Sequence, residues 1–118
     1  MNQLTALLLT LALEVPVALL FGLRWGRRRG EGLERLLAVS VAASLITHPF
    51  AWHLLPALAG SMSWAGRVLL VEGGVAIVEG LLYAHFAGLG LVRGQVLGWV
   101  ANSWSFGLGL VLFYFLPG

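Results

Sequence analysis

Four apolar runs of about twenty residues each, roughly 4–23, 36–58, 68–87 and 96–116, account for most of this chain. As α-helices rising ~1.5 Å per residue, runs of that length cross the ~30 Å hydrocarbon core of a bilayer. The segments between them are short and polar or glycine-rich: "RWGRRRGEGLER", "AGSMSWAGR" and "AGLGLVRG". Only 10% of the 118 residues are charged, 59% are hydrophobic, and the mean hydropathy is +0.92. A water-soluble domain needs far more charge to cover its surface. The expected fold is therefore an all-α membrane protein, a bundle of four transmembrane helices forming a single integral domain over residues 1–118. The first run is read as a true span and not a cleaved leader, because it lacks a basic start, is too long, and carries Glu14 and Pro16 in its middle. There is no cysteine, which excludes disulfides and thiolate metal sites.

The basic residues orient the bundle. All seven are arginine; Arg24, Arg27, Arg28, Arg29 and Arg35 follow the first run, Arg93 follows the third, and only Arg67 lies on the opposite side. Basic residues concentrate in cytoplasmic loops, so these two loops are expected inside and both chain termini outside. That pattern suits a multi-pass protein of a bacterial inner membrane. The arginines are first a topology signal and second a contact for anionic lipid; the lipid bilayer, not nucleic acid, is the expected partner.

Polar residues inside the runs are the candidates for function. Glu14, His48, Glu79 and Asn102, with Ser105, fall near the midplane when depth is counted at ~1.5 Å per residue. His53 and Glu72 form a shallower layer within about 8 Å of the outer surface. Glu72 and Glu79 are seven residues apart in "VEGGVAIVEG" and share a helix face. A charge at the bilayer centre costs roughly 2.5–3.5 kcal/mol on insertion scales. Three carboxyls with no arginine or lysine at their depth are thus expected to face the bundle interior, where they are protonated, paired with histidine or bound to a cation.

The backbone beside these groups is interrupted by proline, so the first and second helices are expected to be kinked. Pro16 deprives the Ala12 carbonyl of its helical partner, and Pro49 and Pro56 do the same for Leu45 and Trp52. Freed carbonyls in a membrane must be satisfied by protein, water or an ion, which points to a built cavity. Gly73, Gly74 and Gly80, and Ser105, Gly107 and Gly109, are expected to allow close helix packing. Tyr83 and His85, near the cytoplasmic end, need no function, and most of the five tryptophans fit an interfacial belt.

Three functions are compatible with this pattern. The first is proton- or cation-linked transport or ion binding at a midplane site of Glu14, His48, Glu79 and Asn102, with His53 and Glu72 at its entrance. The second is an intramembrane metal-dependent enzyme of hydrolase type, in which Glu14, His48, Glu72 and Glu79 supply oxygen and imidazole ligands suited to a divalent transition metal such as Zn²⁺, Mn²⁺ or Fe²⁺. No HExxH or other catalytic signature is present. The third is an accessory subunit of a larger membrane complex; four short helices also enclose little volume alone, so a homo-oligomer is compatible. The chain length, the four runs and a glutamate at position 14 in the middle of the first run resemble the small multidrug resistance transporters. There the first-helix glutamate binds drug and proton competitively, and two subunits pack antiparallel. Glu72, Glu79, the "THP" stretch and Pro16 depart from that pattern, and the arginine bias favours one orientation. The resemblance covers little more than Glu14 and the architecture, and is not membership.

Overall fold

The computed structural model describes residues 2–27 and 32–115. Arg28 and Arg29 of the basic run, and the end of the fourth apolar run at Leu116, lie outside the described residues. The chain forms four helices: α1 (Gln3–Arg24), α2 (Leu33–Ala57), α3 (Trp64–Phe86) and α4 (Leu91–Phe115).

Each apolar run corresponds to one helix, with ends that agree within one residue on the C-terminal side, but α2, α3 and α4 start three to five residues earlier than hydropathy suggests. The reason is capping and turn chemistry. At α3 the Ser63 side chain accepts a hydrogen bond from the Gly66 N–H, so the helix begins at Trp64 and includes Arg67. Asn2 caps α1 in the same way through the Thr5 N–H at 2.8 Å. Between α3 and α4 only four residues are needed, because Gly88 and Gly90 adopt positive φ angles of 69° and 82°, which glycine adopts without a Cβ penalty. Pro16, Pro49 and Pro56 all lie inside continuous helices.

The helices α1, α2 and α3 are long and apolar enough to cross a membrane. Three of the four expected spans are thus found among the described residues. Large apolar side chains point outward around the bundle, with Leu69 76% and Val92 77% exposed. So extensive an apolar exterior is a surface for lipid and not for water. The longest dimension of 45 Å matches the ~40–45 Å of a bilayer with its headgroups.

The four helices form a square. α1 touches α2 and α4, α3 touches α2 and α4, and among the described residues the two diagonals do not touch. The most intimate contact is between α3 and α4. A Cβ at Gly94 would lie 2.6 Å from the Gly80 carbonyl oxygen, and one at Gly98 would lie 2.6 Å from the Gly80 nitrogen. Only glycine lets the two backbones meet in this way. The seam therefore uses Gly80 with Gly94 and Gly98, whereas Gly74, Gly107 and Gly109 face open space. Of the expected packing glycines only Gly80 is in this seam; Gly94 lies before the 96–116 run, and Gly98 within it. Gln95 Nε2 reinforces the contact by donating to the Ile77 carbonyl at 3.0 Å.

The core lies at the end of the bundle that carries the arginine-rich connections. Ala18, Leu36, Tyr83, Ala87, Leu89, Leu97 and Ala101 are buried together there. Arg27 closes this end by donating from Nη2 to the Gly88 carbonyl at 2.9 Å, and Arg93 stacks over the Trp25 ring at 5.4 Å.

Candidate functional site

The other half of the square, towards the chain termini, is hollow. A cavity of about 350 Å³ occupies it, lined by all four helices. Its walls are apolar: Leu9 on α1, Leu55 on α2, Val75 on α3, and Phe106 and Leu110 on α4. Its floor is polar. On every helix, the lining residue farthest from the terminal end is hydrophilic: Glu14 on α1, Thr47 on α2, Glu79 on α3 and Asn102 on α4. The cavity stops at that level because the core side chains begin to fill the square below it.

Glu14 and Glu79 are each 1% exposed. Both carboxyls meet hydroxyls from neighbouring helices, not each other. For Glu14, the Ser44 hydroxyl donates to Oε2 at 2.7 Å, and the Ser105 hydroxyl donates to Oε1 at 3.0 Å. α2 and α4 thus grip opposite oxygens of a residue on α1. For Glu79, the Thr47 hydroxyl lies 3.3 Å from Oε1 and only 2.9 Å from the Ala43 carbonyl of its own helix. Glu79 Oε2 is buried without a hydrogen-bond partner. No arginine lines the cavity, so no side-chain cation stands opposite the carboxyls.

The remaining candidates separate clearly. Glu72 and His48 both line the cavity, and the His48 ring lies 6.0 Å from that of Trp52. Asn102 sits on the floor but donates its Nδ2 at 3.0 Å to the backbone carbonyl of Glu72. It therefore ties α4 to α3 and joins the two layers that rise per residue alone kept apart. His53 is exposed and does not line the cavity, which removes it from the entrance layer. α2 turns His48 and Thr47 inward, and His53, five residues beyond His48, falls on a different face. Arg67 does not reach for Glu72; its Nη1 donates to the Leu55 carbonyl at 2.6 Å, binding the start of α3 to the end of α2.

Two expectations change here. The set Glu14, His48, Glu72 and Glu79 does not form a metal centre: among the described residues no three His, Asp or Glu side chains converge as ligands. The two buried carboxyls take hydroxyl donors instead, and His48 faces Trp52. Of the three proline-freed carbonyls, only that of Trp52 belongs to a cavity-lining residue; Ala12 and Leu45 are not part of the lining. The cavity is therefore shaped chiefly by small or polar side chains at its floor and by the square arrangement, not by broken backbone.

Sequence reasoning overlooked the α2 hydroxyls. Ser40, Ser44 and Thr47 are all buried and recur at spacings of four and three, one face of a helix. That spacing was available in the sequence; a stripe of hydroxyls at helical period within an apolar run signals an interior face. Tyr83, expected to need no function, is fully buried one turn below Glu79.

No family model, no curated protein and no solved structure matches this chain.

Proposed function

We propose that this protein binds a cation in the cavity and moves it across the membrane in exchange for protons. The observation that carries the reading is the pair of fully buried carboxyls, Glu14 and Glu79, on the floor of a cavity that no arginine lines among the described residues. Buried carboxylates need compensation, and the two agents that can supply it reversibly are protons and cations. The apolar walls, with Trp52 and Phe106 among them, fit a singly charged solute with a hydrocarbon surface. The aromatic faces add attraction for such a charge.

The reading takes α4 as a fourth span. It has 25 residues, equal to α2, and its packing along α3 carries it through the same depth. Its polar residues Asn102 and Ser105 are buried against the other helices, so they do not meet lipid. With the arginine-rich connections inside, both termini and the cavity mouth face outward, in a multi-pass protein of a bacterial inner membrane.

The test uses the whole chain reconstituted in liposomes with an imposed pH gradient, and tetraethylammonium as the probe. Uptake that dissipates the gradient and is lost in Glu14→Gln supports the reading. Absence of both uptake and calorimetric binding, with Glu14→Gln and Glu79→Gln changing only bundle stability or assembly, would replace it with an accessory-subunit role.

A further inference from the structure

The two carboxyls on the cavity floor are equally buried but differently served. Both oxygens of Glu14 accept hydrogen bonds, from hydroxyls on two other helices, at 2.7 and 3.0 Å; the Ser105 hydrogen has its nearer acceptor in Glu14 Oε1, against 3.2 Å to the Asn102 carbonyl. That is the environment of an ion: two donors directed at two acceptor oxygens. Glu79 has no donor committed to it. A threonine hydroxyl has one hydrogen, and the Thr47 hydrogen has the closer acceptor in Ala43 O at 2.9 Å, against 3.3 Å to Glu79 Oε1. Glu79 Oε2 has no partner among the described residues. An ionised Glu79 would be a buried acceptor lacking donors. A protonated Glu79 donates its own O–H to the free lone pair of Thr47 Oγ1, while Thr47 continues to donate to Ala43.

We infer that the two carboxyls divide the work: Glu14 is the fixed anion that holds the cation, and Glu79 carries the proton that is exchanged for it. This rests on the cation-linked reading above. The exchange balances as follows. A monovalent cation enters against the Glu14 carboxylate. The O–H bond of Glu79 breaks, its proton leaves to water in the cavity, and the Thr47 hydrogen turns from Ala43 O to Glu79 Oε1. The charge on the floor stays constant, one cation having replaced one proton, and reprotonation of Glu79 reverses each step. The ionisable groups around Glu79 are Glu14 on α1, His48 on α2, and Glu72 and Tyr83 on α3; among the described residues α4 presents only Asn102 and Ser105 as polar groups to the cavity.

Infrared spectroscopy of the reconstituted protein locates the proton without any ligand. A protonated-carboxyl C=O band lost in Glu79→Gln and kept in Glu14→Gln is expected. Loss in Glu14→Gln, or only in Glu72→Gln, overturns the assignment. If Glu79→Gln does not fold, Thr47→Val decides: it removes the acceptor for the Glu79 proton and is expected to shift that band, while Ser44→Ala leaves it in place; the reverse pattern overturns the assignment. With tetraethylammonium in weak buffer, the unaltered protein should release protons on binding, Glu79→Gln should bind without release, and Glu14→Gln should bind about tenfold more weakly or not at all. Proton release that persists in Glu79→Gln overturns the inference alone. Failure of the unaltered protein to bind tetraethylammonium overturns the cation reading itself, and Glu14's role with it, whatever the infrared bands show.

Discussion

At the arginine-rich end, Tyr83, Leu36 and Leu97 fill the square between the four helices completely, and α3 and α4 touch backbone to backbone at Gly80, Gly94 and Gly98. A few turns away, towards the chain termini, the same helices enclose about 350 Å³ of space floored by Glu14, Thr47, Glu79 and Asn102. The difference lies in the glycine seam at one end and the polar floor at the other. At the closed end Tyr83, Leu36 and Leu97 meet inside the square and glycine draws two backbones together. Where the inward residues are carboxyls and hydroxyls, they bond to one another around the perimeter, and the centre stays open above them. One half is a clamp that fixes the helices; the other is a vessel held in shape by that clamp.

The comparison breaks first, if it breaks, at the glycine seam. Gly98→Ala places a methyl group against the Gly80 backbone and is expected to destabilise the bundle by about 3 kcal/mol, since backbone on the far side cannot yield as a side chain would. Gly109→Ala, whose added Cβ meets nothing within 4 Å on the cavity side, should change stability by no more than about 0.5 kcal/mol. Titration with a denaturing detergent, followed by circular dichroism, measures both. Equal effects would mean that the two halves are not packed differently.

A smaller effect of the same kind is expected from truncating leucines. Leu97→Ala in the core should cost about 2 kcal/mol, mainly through lost packing contacts that lipid does not replace. Leu9→Ala on the cavity wall should cost less than about 1 kcal/mol, because that side chain already lacks neighbours on its inner side. The same detergent titration ranks the pair, and a larger loss at Leu9 would contradict a hollow terminal half.

Function should divide from stability at the floor. Glu14→Gln retains an oxygen for the Ser44 or Ser105 hydroxyl, so its stability change is expected to stay within about 1 kcal/mol. Tetraethylammonium uptake should fall at least about tenfold, which corresponds to ~1.4 kcal/mol or more of lost binding. A variant that loses stability instead of uptake would make Glu14 part of the clamp. The smallest effect is expected at His53, which is exposed on α2 outside the cavity. His53→Ala should leave uptake unchanged and stability within about 0.5 kcal/mol, and a loss of uptake would place the cavity mouth elsewhere.

The sequence by itself determined four helices and which residues could not face lipid. Run length and hydropathy decide the first, because a backbone in hydrocarbon must bond within its own segment. The cost of burying charge decides the second for Glu14, Glu72 and Glu79. Rise per residue was enough to place Glu14 and Glu79 at similar depth, since both are reckoned along a single axis. Only the tertiary structure decided which hydroxyl serves which carboxyl, that His48 faces Trp52 and not a metal ligand set, that His53 points away, and that Gly94 and Gly98 form the seam. Each of those depends on rotation and tilt of one helix against another. Such freedoms are set by side-chain packing between residues up to 91 positions apart, as for Ser105 and Glu14. Hydropathy along one helix carries no information about them, because lipid and the bundle interior are nearly equally apolar and do not tell the helix which way to turn.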